Sequence, residues 1–144
     1  MAVTVKGITL WRREVDDRPG ALASSMEPLT GVDLQVVMGY RFTGHSGRGA
    51  VELYPISSKK ATAAAQAAGF ADSGIPALIV NGDNRPGLGH AIAAAIADAG
   101  INLAFLVAQV IGRKYSAVFG FDSAADRQKA IALVKKAHTG GRKR

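Results

Sequence analysis

Cysteine is absent from this 144-residue chain, which excludes disulfide staples, thiolate nucleophiles and Cys-ligated zinc or iron–sulfur centres. Aromatic residues make up only 6%, so a core has to be built from aliphatic side chains and alanine. Long hydrophobic runs are missing too. The apolar stretches around Ile75 to Val80 and Ile101 to Ile111 are too short or too interrupted for the about 20 residues that a membrane-spanning helix needs. Met1 to Lys6 carries one charge and no long apolar segment, so no secretory signal is read there and cytoplasmic residence is the expectation. Negative charge is in the minority: 18 Lys plus Arg face 11 Asp plus Glu, a net +7. Nine of these positive residues fall in the doublets Arg12-Arg13, Lys59-Lys60 and Lys135-Lys136 and in the terminal Arg142-Lys143-Arg144, and the rest are spread along the chain, which reads as solvated surface charge. What remains, 48% hydrophobic and 20% charged residues with 17 Gly, is the balance of a globular protein.

The chain repeats itself. Leu10 to Leu22, containing Asp17-Arg18-Pro19-Gly20, is echoed by Leu78 to Leu88, containing Asn84-Arg85-Pro86-Gly87, with Gly87 67 residues after Gly20. Gly31-Val32-Asp33-Leu34 then matches Gly100-Ile101-Asn102-Leu103 at an offset of 69, and Ala50-Val51 matches Ala117-Val118 again at 67. Three anchors in one order predict two homologous units of about 70 residues. We place them at residues 1–74 and 75–138, with 139–144 as a basic, disordered tail.

Each unit predicts the same elements. First strands are expected at Ile8 to Trp11 and Ala77 to Val80, running into the Arg-Pro-Gly turns. Helices follow, with Leu22, Met26 and Leu29 as one apolar stripe and Leu88, Ile92 and Ile96 as the other, and with Gly31 and Gly100 as left-handed caps. Hairpins are expected over Leu34 to Phe42 with Ala50 to Ile56, and over Leu103 to Ile111 with Tyr115 to Phe121. Second helices run from Lys59 to Ala68 and Ala124 to Ala137, capped by Ser57 or Ser58 and by Asp122 or Ser123. The order is strand, helix, strand, strand, helix, an α+β class of two ferredoxin-like units whose antiparallel sheets are covered by helices. A closing strand in each unit would be very short, supplied by the other unit, or absent. Units this small are marginal alone, so a fused body that associates as a homodimer or larger homo-oligomer is expected.

The Arg-Pro-Gly turn is the polar motif that occurs twice. Proline suits a first helical turn, and the free N–H groups of Gly20, Ala21 and Leu22, or of Gly87, Leu88 and Gly89, suit a carboxylate. Asp17 or Asn84 is then placed to hydrogen-bond an ammonium group, although either residue is also a simple helix cap. In this pattern, covering Ile8 to Gly69 and Pro76 to Ala137, the chain resembles the ACT domain family of amino-acid-binding regulatory modules. The resemblance implies a non-catalytic sensor that binds a small amino acid at interfaces between ACT domains, without cofactor or metal, and passes its state to a protein partner. It implies ligand contacts at Asn84, Arg85, Gly87, Leu88, Gly89 and Asn102 in unit two, with Asp17, Arg18, Gly20, Ala21, Leu22 and Asp33 as counterparts. Unit two is expected to be the better site, because asparagine amides donate and accept whereas two aspartates repel a carboxylate.

Other chemistries find little support. His45, His90 and His138 have no partner at metal-ligand spacing, no nucleophile elbow surrounds Ser24-Ser25 or Ser57-Ser58, and no phosphate loop follows a strand. RNA binding is the alternative, because the RNA recognition motif has the same topology. Tyr115 and Phe119 approach its stacking aromatics, but Ala117 stands where another is needed.

Overall fold

The computed structural model describes residues 3–44 and 47–140. It divides into an N-terminal unit, Thr9–Gly74, and a C-terminal unit built from residues 75–140 together with 3–8. The first strand of the chain thus belongs with the second repeat.

In the N-terminal unit, β2 (Trp11–Asp16) leads through the Arg-Pro-Gly turn into α1 (Ala21–Met26), which tightens into a 3₁₀ turn at Glu27–Leu29. There follow β3 (Val36–Arg41), β4 (Arg48–Tyr54), α2 (Lys59–Ala67) and the two-residue β5 (Ala71–Asp72). The antiparallel sheet has the order β3-β4-β2-β5, the ferredoxin-like arrangement. Its core gathers Leu29, Val51, Leu53, Ile56, Ala61, Ala65 and Phe70.

In the C-terminal unit, β6 (Ala77–Asp83), α3 (Leu88–Asp98), β7 (Leu103–Ile111), β8 (Lys114–Phe121) and α4 (Ala124–Gly140) follow in sequence. The sheet order is β1-β6-β8-β7, with β1 (Val3–Ile8) antiparallel to β6 from Val3↔Gly82 to Ile8↔Ala77. β1 occupies the place that β5 fills in the first unit, so the two sheets share an order while the chain enters them at different points. The open question of the closing strand therefore has two answers: very short in one unit, and supplied from the start of the chain in the other. Leu88, Ile92 and Ile96 all face inward from α3, each no more than 1% exposed, against Val5, Leu78, Val80, Phe119 and Phe121.

Several expectations are corrected. The first strand of the N-terminal unit lies three residues later than expected, at Trp11–Asp16, because Arg12, Glu14 and Asp16 are tolerated on one sheet face while Trp11 and Val15 pack against the core on the other. The buried stripe of α1 and its 3₁₀ turn is Ala21, Ser25 and Leu29, with Leu22 exposed. Gly31 has no left-handed φ, unlike Gly100 at +74°, because the helix has already ended through a Pro28-containing 3₁₀ turn. α4 continues through Thr139 and Gly140, two residues into the segment expected to be tail. The rest of that tail, and His45 and Ser46, lie outside the described residues. Ser58 and Ser123 cap their helices as expected, accepting the N–H of Ala61 at 3.0 Å and of Asp126 at 3.1 Å. Among the described residues, no helix is long and apolar enough to cross a membrane.

Candidate ligand-binding turns

The two Arg-Pro-Gly motifs fold alike. Arg18 C=O accepts the N–H of Ala21, and Arg85 C=O accepts the N–H of Leu88, both at 3.2 Å. Gly20 has φ 87° and ψ −7°, and Gly87 has φ 81° and ψ 0°. Proline followed by a positive-φ glycine inside such a bond is the signature of a type II turn. The glycines, not Asp17 or Asn84, cap the helices, and neither cap makes a side-chain hydrogen bond. The prolines precede the cap instead of opening the helix. Each turn is also anchored to the tip of its own hairpin: Asp17 N–H donates to Gly47 C=O at 2.9 Å, and Asn84 N–H to Arg113 C=O at 2.8 Å.

This geometry changes which amides are available. The N–H groups of Ala21 and Leu88 are consumed by the turn, and Leu88 is 1% exposed with its side chain in the core. Gly89 and His90 in α3, like Leu22 and Ala23 in α1, keep N–H groups without a partner among the described residues, and all four residues are exposed. Asn84 and Gly87 are exposed beside them. α3 is an 11-residue helix, whereas α1 has 6 residues before it tightens, so the aligned peptide dipoles favour an anion more at the second turn.

Asn102 and Asp33 do not join the turns within their own units. Asn84 follows Asp83, which pairs with Lys114, whereas Asn102 precedes Leu103, which pairs with Phe121. Those partners are the two ends of β8, about 23 Å apart at roughly 3.3 Å per residue. In the N-terminal unit, Asp17 sits at the Arg48 end of β4, while Gln35 N–H, two residues after Asp33, donates to Tyr54 C=O at the other end. The expected repulsion from paired aspartates therefore does not arise in that unit. Asp17 instead forms an ion pair with Arg41 at 3.4 Å, and Asp16 one with Arg48 at 2.7 Å.

Two cavities lie in the N-terminal unit. One, of about 330 Å³, is lined by Asp17, Arg18, Ala21, Leu22, Tyr40 and Arg41 over Gly39, Gly49 and Val51. It lies where the six-residue α1 covers little of this end of the sheet. The other, of about 500 Å³, has an apolar lining of Pro28, Val32, Pro55, Ala61 and Ala64, and a polar lining of Asp33, Ser57, Ser58 and Lys60. Motif reasoning reached Asp33 but missed Lys60. That Asp33 and Lys60 line one groove has no sequence signal, because it depends on where the 3₁₀ turn meets α2.

On the first sheet the Tyr40 hydroxyl donates to Glu52, which is fully buried, with Oε1 unpaired among the described residues. Arg12 stacks over Phe42, 5.3 Å from the ring centre. Burial, reinforced by the hydrogen bond and charge of Glu52, pushes the Tyr40 phenol from 10.0 up to about 12. The folded protein therefore holds this proton more tightly than the unfolded chain does. The stability Tyr40 contributes is complete below about pH 10 and is lost as pH rises towards 12. Denaturant midpoints measured across that window should fall less steeply in Tyr40→Phe than in the wild type. An unchanged slope would show that the folded protein does not hold the Tyr40 proton more tightly than the unfolded chain.

The aromatics considered for RNA stacking are in the core: Tyr115 is 5% and Phe119 1% exposed, both on the helix-covered face. Among the described residues, no cluster of three His, Asp or Glu residues is arranged to hold a metal ion.

No protein-family description and no curated protein sequence matches the chain. Solved structures do. Protein BT0572 from Bacteroides thetaiotaomicron superposes with a TM-score of 0.71 at 14% identity, over 93% of this chain and 90% of that one. The ligand-free regulatory subunit of aspartate kinase from Thermus thermophilus has a TM-score of 0.62 at 17% identity, over 95% and 97%. The corresponding subunit from Thermus flavus has 0.57 at 16%, over 96% and 97%. At these identities the likeness establishes the fold, two four-stranded antiparallel sheets with helices, across nearly the full length of each chain.

Proposed function

We propose that this chain is an ACT-like, non-catalytic regulatory module that binds a small amino acid at the Asn84–Gly89 turn. The observation that carries the reading is the turn itself. A type II bend at the start of an 11-residue helix leaves the amides of Gly89 and His90 unpaired beside an exposed asparagine. Such amides favour a carboxylate, and the Asn84 side-chain oxygen accepts from an ammonium. The fold shared with regulatory subunits of aspartate kinase supports the regulatory part of the reading.

A second seat is favoured by the larger groove of the N-terminal unit, where Asp33 and Lys60 border one apolar floor. A carboxylate and an ammonium there complement the two charges of a zwitterion. Thermal-shift measurements with each of the twenty amino acids separate the seats. For so small a ligand we expect dissociation constants of roughly micromolar to millimolar. At a hundredfold excess, binding adds about 2.7 kcal/mol of stability. Asn84→Ala should remove most of the response, and Asp33→Ala little of it. The reverse order would move the site to the groove, and the absence of any response would end the amino-acid reading.

Self-association belongs to the same proposal. β7 is an edge strand of nine residues without a charge, and Leu106, Val107, Val110 and Ile111 are exposed on it, Ile111 at 67%. Long apolar edges of this kind pair with other chains. Light scattering at micromolar concentration should give at least twice the chain mass, and Val107→Lys should reduce it to one. A monomeric wild type would contradict this part.

A further inference from the structure

The second turn is tied to a distant part of its own unit. Arg85 Nη2 donates to the carbonyl of Ala137 at 2.9 Å, and His138 Nε2 lies 3.0 Å from the carbonyl of Asp83. Asp83 and Arg85 flank Asn84, whereas Ala137 and His138 are in the last turn of α4. The bonds therefore run between the two segments from both sides. A carbonyl only accepts, so His138 Nε2 carries the proton in this contact. His138 is 2% exposed, and both its Nδ1 and Arg85 Nη1 are buried without a partner among the described residues. A guanidinium at a helix C-terminus is favourable because the last carbonyls there have no helical partner. Arg18, the counterpart in the N-terminal unit, is exposed and makes no side-chain hydrogen bond among the described residues.

We propose that Arg85 and His138 are positioning residues that make the shape of the Asn84–Gly89 turn and the seating of the last turn of α4 a single equilibrium. Arg85 is then not a ligand contact. Its guanidinium is turned away to α4, and it acts on the ligand only through the backbone it holds. Whatever binds the turn is read out at the end of α4, and displacing that end weakens binding at the turn by the same factor. The ligand half of this statement rests on the proposed function; the mechanical half does not.

Native-state amide hydrogen exchange on the full chain, with no ligand added, tests the mechanical half. The reporters are the hydrogen-bonded amides of the turn, Asn84, Leu88 and Ala91. His138→Leu removes the donor and should speed their exchange about tenfold, the scale of one lost hydrogen bond. Central strand amides such as those of Ile79 and Val118 should stay unchanged. His138→Gln, which restores a side-chain N–H, should return the reporters towards the wild-type rate. Should His138→Leu fail to fold, Arg85→Met gives the reciprocal reading, faster exchange at Ala137 to Thr139, with no such change in Arg85→Lys. Unchanged turn amides, a uniform rise across the unit, or no rescue by the conservative variants would overturn the proposal. Because no ligand is present, these exchange rates are the same whether or not any amino acid binds the turn, so the coupling and the amino-acid reading fail separately.

Discussion

Val5→Asp will destabilise the C-terminal unit by several kcal/mol, although the whole N-terminal unit separates residue 5 from that unit's other strands along the chain. Val5 is 8% exposed, pairs with Val80 and packs with Leu78, Ile92 and Phe119. An aspartate there is either a buried charge without a partner or a carboxyl forced to stay protonated, and both are costly. Against a total stability of about 5–15 kcal/mol, this is enough to unfold much of the population. Thr4→Asp, one residue away on the exposed face of the same strand, should change stability by less than about 0.5 kcal/mol. Hydrogen exchange localises the effect: in Val5→Asp, peptides from β6 and α3 should lose protection. Equal effects from the two substitutions would mean that β1 does not complete the second sheet.

The other large effect is expected at Gly87. Its φ of +81° is a region that branched L-residues avoid, yet a Cβ built there meets nothing within 4 Å. Gly87→Val therefore acts by strain, not by collision. It should cost about 1–3 kcal/mol and unwind the turn that aligns Gly89 and His90. Gly87→Asn, which tolerates the left-handed region, should cost less and retain more of the amino-acid response. If valine and asparagine behave alike, the turn does not need the left-handed conformation. Gly120 marks the contrast: a Cβ there would sit 2.2 Å from the Phe105 ring, so the constraint is space and not φ.

In the C-terminal unit α3 and the hairpin are legible in the sequence nearly to the residue, and the N-terminal unit is less so, for physical reasons visible in particular side chains. Leu88, Ile92 and Ile96 are large, apolar and four apart, and β7 begins and ends at the expected Leu103 and Ile111. α1 has alanine and serine on its inner face, so Leu22 suggests a buried stripe that is in fact Ala21 and Ser25. Arg12, Arg13 and Glu14 hide β2 because charged residues leave no apolar alternation, and they are accommodated by cross-strand and helix partners instead. Arg12 lies opposite Glu52 in the register, and Arg13 reaches Ser25 at 3.3 Å. β1 is not recognisable as the closing strand of the second repeat, since nothing local to Val3–Ile8 names its partner. Among candidate site residues, the motif locates both turns, but Asn102 is set near Asn84 only by the family resemblance. Only the strand register separates them by the length of the sheet.

The most direct measurement is an amide NMR titration of the full chain with each of the twenty amino acids in turn. The account predicts that at least one shifts the Gly87, Gly89 and His90 amides saturably, and that the same shifts vanish in Asn84→Ala. Saturable shifts confined to Asp33, Ser57 and Lys60, or no saturable shift with any of the twenty, would contradict it.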